Sequence, residues 1–167
     1  SLGVKTDQIL VIKFPGPTEG MKTKMESMRR AIKKLPLASK VTCSGAVPGE
    51  EVAMFLSNHR AHDALKQNRL YEMLSCDPDY IDAYGLEVVA GRGFSEEYGD
   101  DVNKLVINET AARMLGYVDN DDAIGEEIAV ETLGEPMQVI GEVKDYHQQE
   151  LNKGYTGVML FHKDKID

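Results

Sequence analysis

The sequence predicts a mixed α+β domain, and three observations carry that reading. Short apolar runs rich in β-branched residues alternate with brief helical patterns. The chain opens strand, helix, strand, the order of a βαβ unit with its right-handed crossover. Beyond about residue 47, strands dominate and the helices between them are short. The expected architecture is one mixed-sheet domain over 1–167, with an N-terminal βαβ unit (1–46) followed by a strand-rich lobe (47–167) that contains short helices.

Each element has its own signal. Residues 8–14, QILVIKF, form a compact apolar run that ends at Pro15-Gly16-Pro17, which neither helix nor ladder tolerates well. Met21, Met25, Met28, Ile32 and Leu35 recur at steps of four and three, one helical stripe with Lys22, Lys24, Arg29, Arg30, Lys33 and Lys34 on the other faces, stopped at Pro36. Residues 40–45, KVTCSG, read as the second strand. From Val47 to about Lys66 periodicity is weak. Residues 69–76, RLYEMLSC, alternate as a strand. Asp77-Pro78 then starts a short helix, with Asp77 as N-cap, and Gly85 ends it. Strands follow at 86–90 and 104–107. Asn108 caps a helix that Gly116 terminates. The remaining strands are 128–130, 137–143 and 155–161.

Composition narrows the function. Apolar residues make up 42% and charged residues 28%, a globular balance. The net charge of −9 argues against nucleic acid as a partner, because phosphates require a basic surface. No run approaches the roughly 18–20 apolar residues of a membrane helix, and no signal peptide opens the sequence. Cys43 and Cys76 lack zinc spacing; they are either two buried thiols or, if they lie on neighbouring strand ends, a disulfide.

Several stretches together resemble a known family. They are DPDYIDAYGLEVVAGRGFS (77–95), LVINETAARMLG (105–116), DAIGEEI (122–128) and VIGEVKDYHQQEL (139–151), supported by LGVKTDQILVI (2–12) and AVPGEE (46–51). Each motif is soft alone; six in order resemble the extracytoplasmic core domain of MacB/FtsX-type ABC transporter permeases. The opening segment and KDYHQQEL are most similar to the second of the two copies in permeases of Bacteroidetes-type bacteria. The motif positions are Gly91, Arg92, Phe94, Asn108, Glu109, Gly125, Lys144, Asp145 and His147.

The resemblance implies a noncatalytic domain held between membrane helices on the periplasmic face of the inner membrane, in a membrane-embedded parent. The implied partners are a second permease protomer, a cytoplasmic ATPase and an envelope protein. ATP hydrolysis inside would change the spacing of such domains outside, for export or for handling lipoproteins or peptides. The family's domain combines two βαβ halves with an inserted strand-rich lobe. By that comparison this chain stops about where the second half would begin, which implies an unpaired edge on strand 8–14 or 40–45, covered by another chain.

The residues also admit other readings. Asp145 and His147, two apart at a strand exit, suit acid–base or metal chemistry in a small secreted hydrolase. The alternative is that they fix the strand exit, Asp145 by accepting backbone N–H bonds. Neither HExxH, G-x-S-x-G nor a glycine-rich phosphate loop occurs, so no cofactor is expected. His59 and His62 in HRAH would share a helix face and could hold zinc. Arg92 either binds an anion or bridges backbone carbonyls and a local carboxylate. Asn108-Glu109-Thr110 matches a glycosylation sequon but is explained by capping. The basic helix 20–35 is a core stripe with a solvated cationic face, or a surface for a membrane or acidic partner. A free-standing peptide- or lipid-binding module is the third functional class.

Overall fold

The computed structural model describes residues 1–14, 18–98 and 100–166. Its elements are α1 (Met21–Lys33), β1 (Met54–Arg60), β2 (Arg69–Cys76), α2 (Tyr80–Ala83), β3 (Val88–Gly91), β4 (Lys104–Asn108), α3 (Glu109–Met114), β5 (Glu127–Val130), β6 (Met137–Val143) and β7 (Val158–His162). One sheet runs β3-β6-β4-β7-β2-β1-β5, and β5 pairs back onto β6. All strands but β3 therefore close into a ring. β4 takes one edge of β6 along its length, so β5 (at 137–138) and β3 (at 141–143) share the other. The β2/β7 and β4/β6 pairs are parallel and the rest antiparallel, so the α+β class and the mixed sheet are as expected.

Alternation along the strands fills the barrel. Tyr71 and Met73, Leu105 and Ile107, Ile128 and Val130, Met137 and Val139, and Met159 and Phe161 form one core. Ala111, Ala112 and Leu115 of α3 close it, with Tyr117 and Ala123. The intervening residues Leu74, Cys76, Val106, Leu160 and Val158 point outward into a second core beneath Tyr80, Ile81, Tyr84, Phe94 and Tyr146. Burial on both faces explains why β2, β4 and β7 read as nearly continuous apolar runs.

The expected βαβ opening is corrected. Its helix forms, but residues 8–14 pair with no strand, and 40–45 contribute only an isolated bridge between Ser44 and Cys76. A strand needs a ladder partner as well as β-prone residues. None faces 8–14 among the described residues, and Leu10 is 84% exposed. The Pro15–Pro17 turn lies outside the described residues. α1 has no buried residue: Met21, Met25 and Ile32 are half-buried, while Met28 and Leu35 are exposed. It is held to the barrel by charge. Arg29 pairs with Asp77 (3.5 Å) and Asp79, Glu26 with Lys163 (3.7 Å), and Lys22 with Asp164 (3.4 Å).

Two smaller expectations also change. Strand β1 lies in the stretch that showed little periodicity. Asn58 points inward and Phe55 outward there, which breaks the apolar alternation. Asp77 is not the cap of α2, whose N-cap is Asp79. The Asp77 carboxylate instead accepts from Thr42 Oγ1, the Cys43 amide and the Asp79 amide (2.5, 2.8 and 3.1 Å), tying the 42–43 segment to the barrel.

Candidate functional site

The motif residues converge where β4 runs into α3 beside the exit of β6. Asn108 ends β4, and its pairing with Val143 sets α3 against that exit. The Asn108 side chain is buried and fully used. Oδ1 accepts from the Ala111 amide, capping α3, and from the Val158 amide at the start of β7 (both 2.9 Å). Nδ2 donates to the Thr156 carbonyl (2.7 Å). One amide thus joins three elements.

Asp145 and Glu109 lock the same junction reciprocally. Asp145 Oδ1 accepts from the Thr110 amide (2.8 Å), and Oδ2 from Thr110 Oγ1 (2.8 Å) and Arg113 (2.7 Å). In return Glu109 Oε2 accepts from the Asp145 amide (3.0 Å). Beneath them lies Glu142, 2% exposed on β6, whose Oε2 is buried without a hydrogen-bond partner among the described residues. Burial pushes its carboxyl up to about 7. The negative charges of Glu109, Asp145 and Asp121 add to the shift, and Arg113 opposes it.

The rest of the KDYHQQEL stretch fastens the barrel to the N-terminal segment. The Lys144 amide donates to the Glu87 carbonyl and the His147 amide to the Leu2 carbonyl (both 2.8 Å). Tyr146 donates to Gln148 Oε1 (3.0 Å), and Gln148 Nε2 donates to the carbonyls of Val47 and Glu50. The His147 ring stacks on Tyr155 with centroids 4.5 Å apart. Asp145 and His147 therefore engage different neighbours. Among the described residues, no three His, Cys, Asp or Glu side chains are grouped to hold a metal ion.

The other motif positions serve the neighbouring β3–β6 crossing. Arg92 grips Asp101 with two parallel bonds (2.9 and 3.0 Å) and donates to the Gly93 carbonyl (3.0 Å). That hydrogen bonding holds the Asp101 carboxyl below its usual range. Gly91 has φ +65°, and a Cβ there would run into the Ile140 carbonyl oxygen; a Cβ on Gly141 would strike the Arg92 carbonyl. The Gly125 amide donates to the Val139 carbonyl (2.8 Å). Phe94 is buried and meets the His162 ring edge-on, 6.0 Å between centroids.

Some sequence candidates separate. HRAH is not helical: His59 lies within β1, one residue before its end, and bonds Asn68 (2.8 Å), while His62, in the following turn, faces Glu127 (3.1 Å). The cysteines are both free. Ser44 faces Cys76 across the isolated bridge, so Cys43 and Cys76 fall on opposite sides of the pairing and cannot meet as a disulfide. Sequence reasoning missed Glu142, Thr110 and Arg113. For Glu142 a signal existed, a lone carboxylate inside the apolar run VIGEV. Thr110 and Arg113 carry no such mark.

In this arrangement the motif residues join elements to one another. The family described as MacB-like periplasmic core domain, found in ABC transporter permeases, matches residues 4–161, and the chain belongs to it. Its fold is similar to the periplasmic region of MacB from Actinobacillus actinomycetemcomitans (TM-score 0.57, 16% identity, 84% of this chain and 55% of that one). It is also similar to the extracellular domain of the noncanonic ABC-type transporter YknZ from Gram-positive bacteria (TM-score 0.58, 18% identity, 83% of this chain and 62% of that one). A domain of a putative permease protein from Porphyromonas gingivalis matches alike (TM-score 0.56, 16% identity, 83% and 57%). The chain thus spans little more than half the length of these solved domains. A comparison with curated protein sequences finds no match.

Proposed function

We propose that this domain is a noncatalytic transmission element of an ABC permease. Membrane helices of the parent hold it on the periplasmic face of the inner membrane, beside a second protomer. A cytoplasmic ATPase drives it, and its movement serves export or the handling of lipoproteins or peptides. The observation that carries this reading is the use made of the family motif. Both carboxylate oxygens of Asp145, all the polar atoms of the Asn108 side chain and the Gln148 amide are spent on holding elements together. A rigid, closed barrel moves as one body, which is what transmission needs.

The exposed apolar run 8–14 and the barely paired segment 40–45 belong to this reading. They are strands in waiting, to be paired by a further segment of the parent permease or by another chain. The test is to delete residues 1–167 from the parent permease while keeping its membrane helices. Recruitment of the ATPase should persist and export should cease. Undiminished export would overturn the proposal.

A further inference from the structure

Glu142 carries a buried carboxylate oxygen, Oε2, that no hydrogen bond among the described residues satisfies. We propose that it is a proton-operated latch. Protonated, it lets Glu109 and Asp145 close over it. Ionised, it repels both and loosens the bonds that pin α3 to the exit of β6.

The surroundings are specific. From α3 the charged groups that act on Glu142 are Glu109 and Arg113, from the β6 exit Asp145, and from the loop before β5 Asp121. Three of the four are acidic, and the fourth, Arg113, is already bound to Asp145 at 2.7 Å. On the neighbouring segments Arg92 pairs with Asp101 and Lys144 with Glu87 (3.8 Å). No donor reaches Oε2 among the described residues, and no metal-holding group of side chains occurs among them. That leaves a proton as the neutralising ion.

The sign follows from linkage. A carboxyl raised to about 7 keeps its proton in the folded state over a range where the unfolded chain has lost it. Stability is therefore greatest below the ordinary glutamate value, falls as pH rises through it towards 7, and levels off above. A domain outside the cytoplasm meets the pH of its surroundings, so the latch would tie the rigidity of this junction to external acidity. The inference stands whether or not the transmission role does.

The experiment is amide hydrogen exchange on the 167-residue chain, corrected for intrinsic rates, between pH 5.5 and 8.5, for wild type and Glu142→Gln. The Thr110 and Asp145 amides report on the junction, and Met159 in the barrel is the reference. In wild type the two junction amides should lose protection several-fold relative to Met159 as pH rises from 5.5 towards 7 and change no further above it, and Glu142→Gln should abolish that loss. The same loss in both proteins would overturn the latch. If Glu142→Gln fails to fold, the carboxyl carbon of Glu142 is titrated by NMR in wild type. A midpoint near 7 supports the latch, and one below about 5 refutes it.

Discussion

Asp145 holds Thr110 twice, through the backbone amide and through the hydroxyl, each at 2.8 Å. The pair joins the first turn of α3 to the exit of β6, so the residue that most resembles a catalytic acid is a fastening. Asp145→Ala would leave the Thr110 amide and Arg113 without their acceptor. It should lower unfolding stability by about 2–4 kcal/mol, as read by urea denaturation. A change under about 0.5 kcal/mol would show that the junction does not depend on it.

The Arg92–Asp101 pair should discriminate between cations. Lysine cannot reproduce two parallel bonds, so Arg92→Lys should cost about 1–2 kcal/mol although the charge is kept. The depressed Asp101 carboxyl adds a pH signature. Its contribution is present above the ordinary aspartate value and is lost as pH falls through the lower folded-state value. An acid titration followed by tryptophan-free near-UV circular dichroism should show Arg92→Ala less acid-sensitive than wild type, relative to its own stability at pH 7.

Gly91→Ala tests the crossing of β3 over β6. The new methyl meets the Ile140 carbonyl in a backbone that already sits at φ +65°. A loss of at least about 3 kcal/mol is expected in thermal or urea unfolding.

Attachment of α1 should be salt-dependent. Its outer contacts, Lys22–Asp164 and Glu26–Lys163, are exposed ion pairs worth about 0–1 kcal/mol each and are screened at about 1 M salt, while the buried Arg29–Asp77 pair is screened less. Limited proteolysis should cut near Leu35–Leu37 faster as salt rises, while the barrel stays intact. Arg29→Ala should produce the same cutting at low salt. Equal cutting rates at low and high salt would contradict this picture of α1.

The central strands, though not their closure into a barrel, are legible in the sequence because they are buried on both faces, and RLYEMLSC matches β2 residue for residue. The Asn108 cap was legible for a similar reason, since capping is local chemistry. What escaped depends on partners distant in sequence. β1 carries an inward Asn58, whose amide donates to the sulfurs of Met73 and Met159, and no local pattern announces such a bond. QILVIKF has every local mark of a strand and no ladder partner among the described residues. Asp145 was read correctly as a possible acceptor of backbone N–H bonds. Its partners on α3 lie 35 residues or so away and could not be seen.

The central claim is that this domain moves as a body in response to ATP on the other side of the membrane. The most direct measurement places a spin label at Val118→Cys, an 86% exposed position in the loop after α3, in the full parent permease with its ATPase in lipid. The account expects the distance between the labels of two protomers to shift on ATP binding and to return after hydrolysis. Identical distance distributions with and without ATP would contradict it.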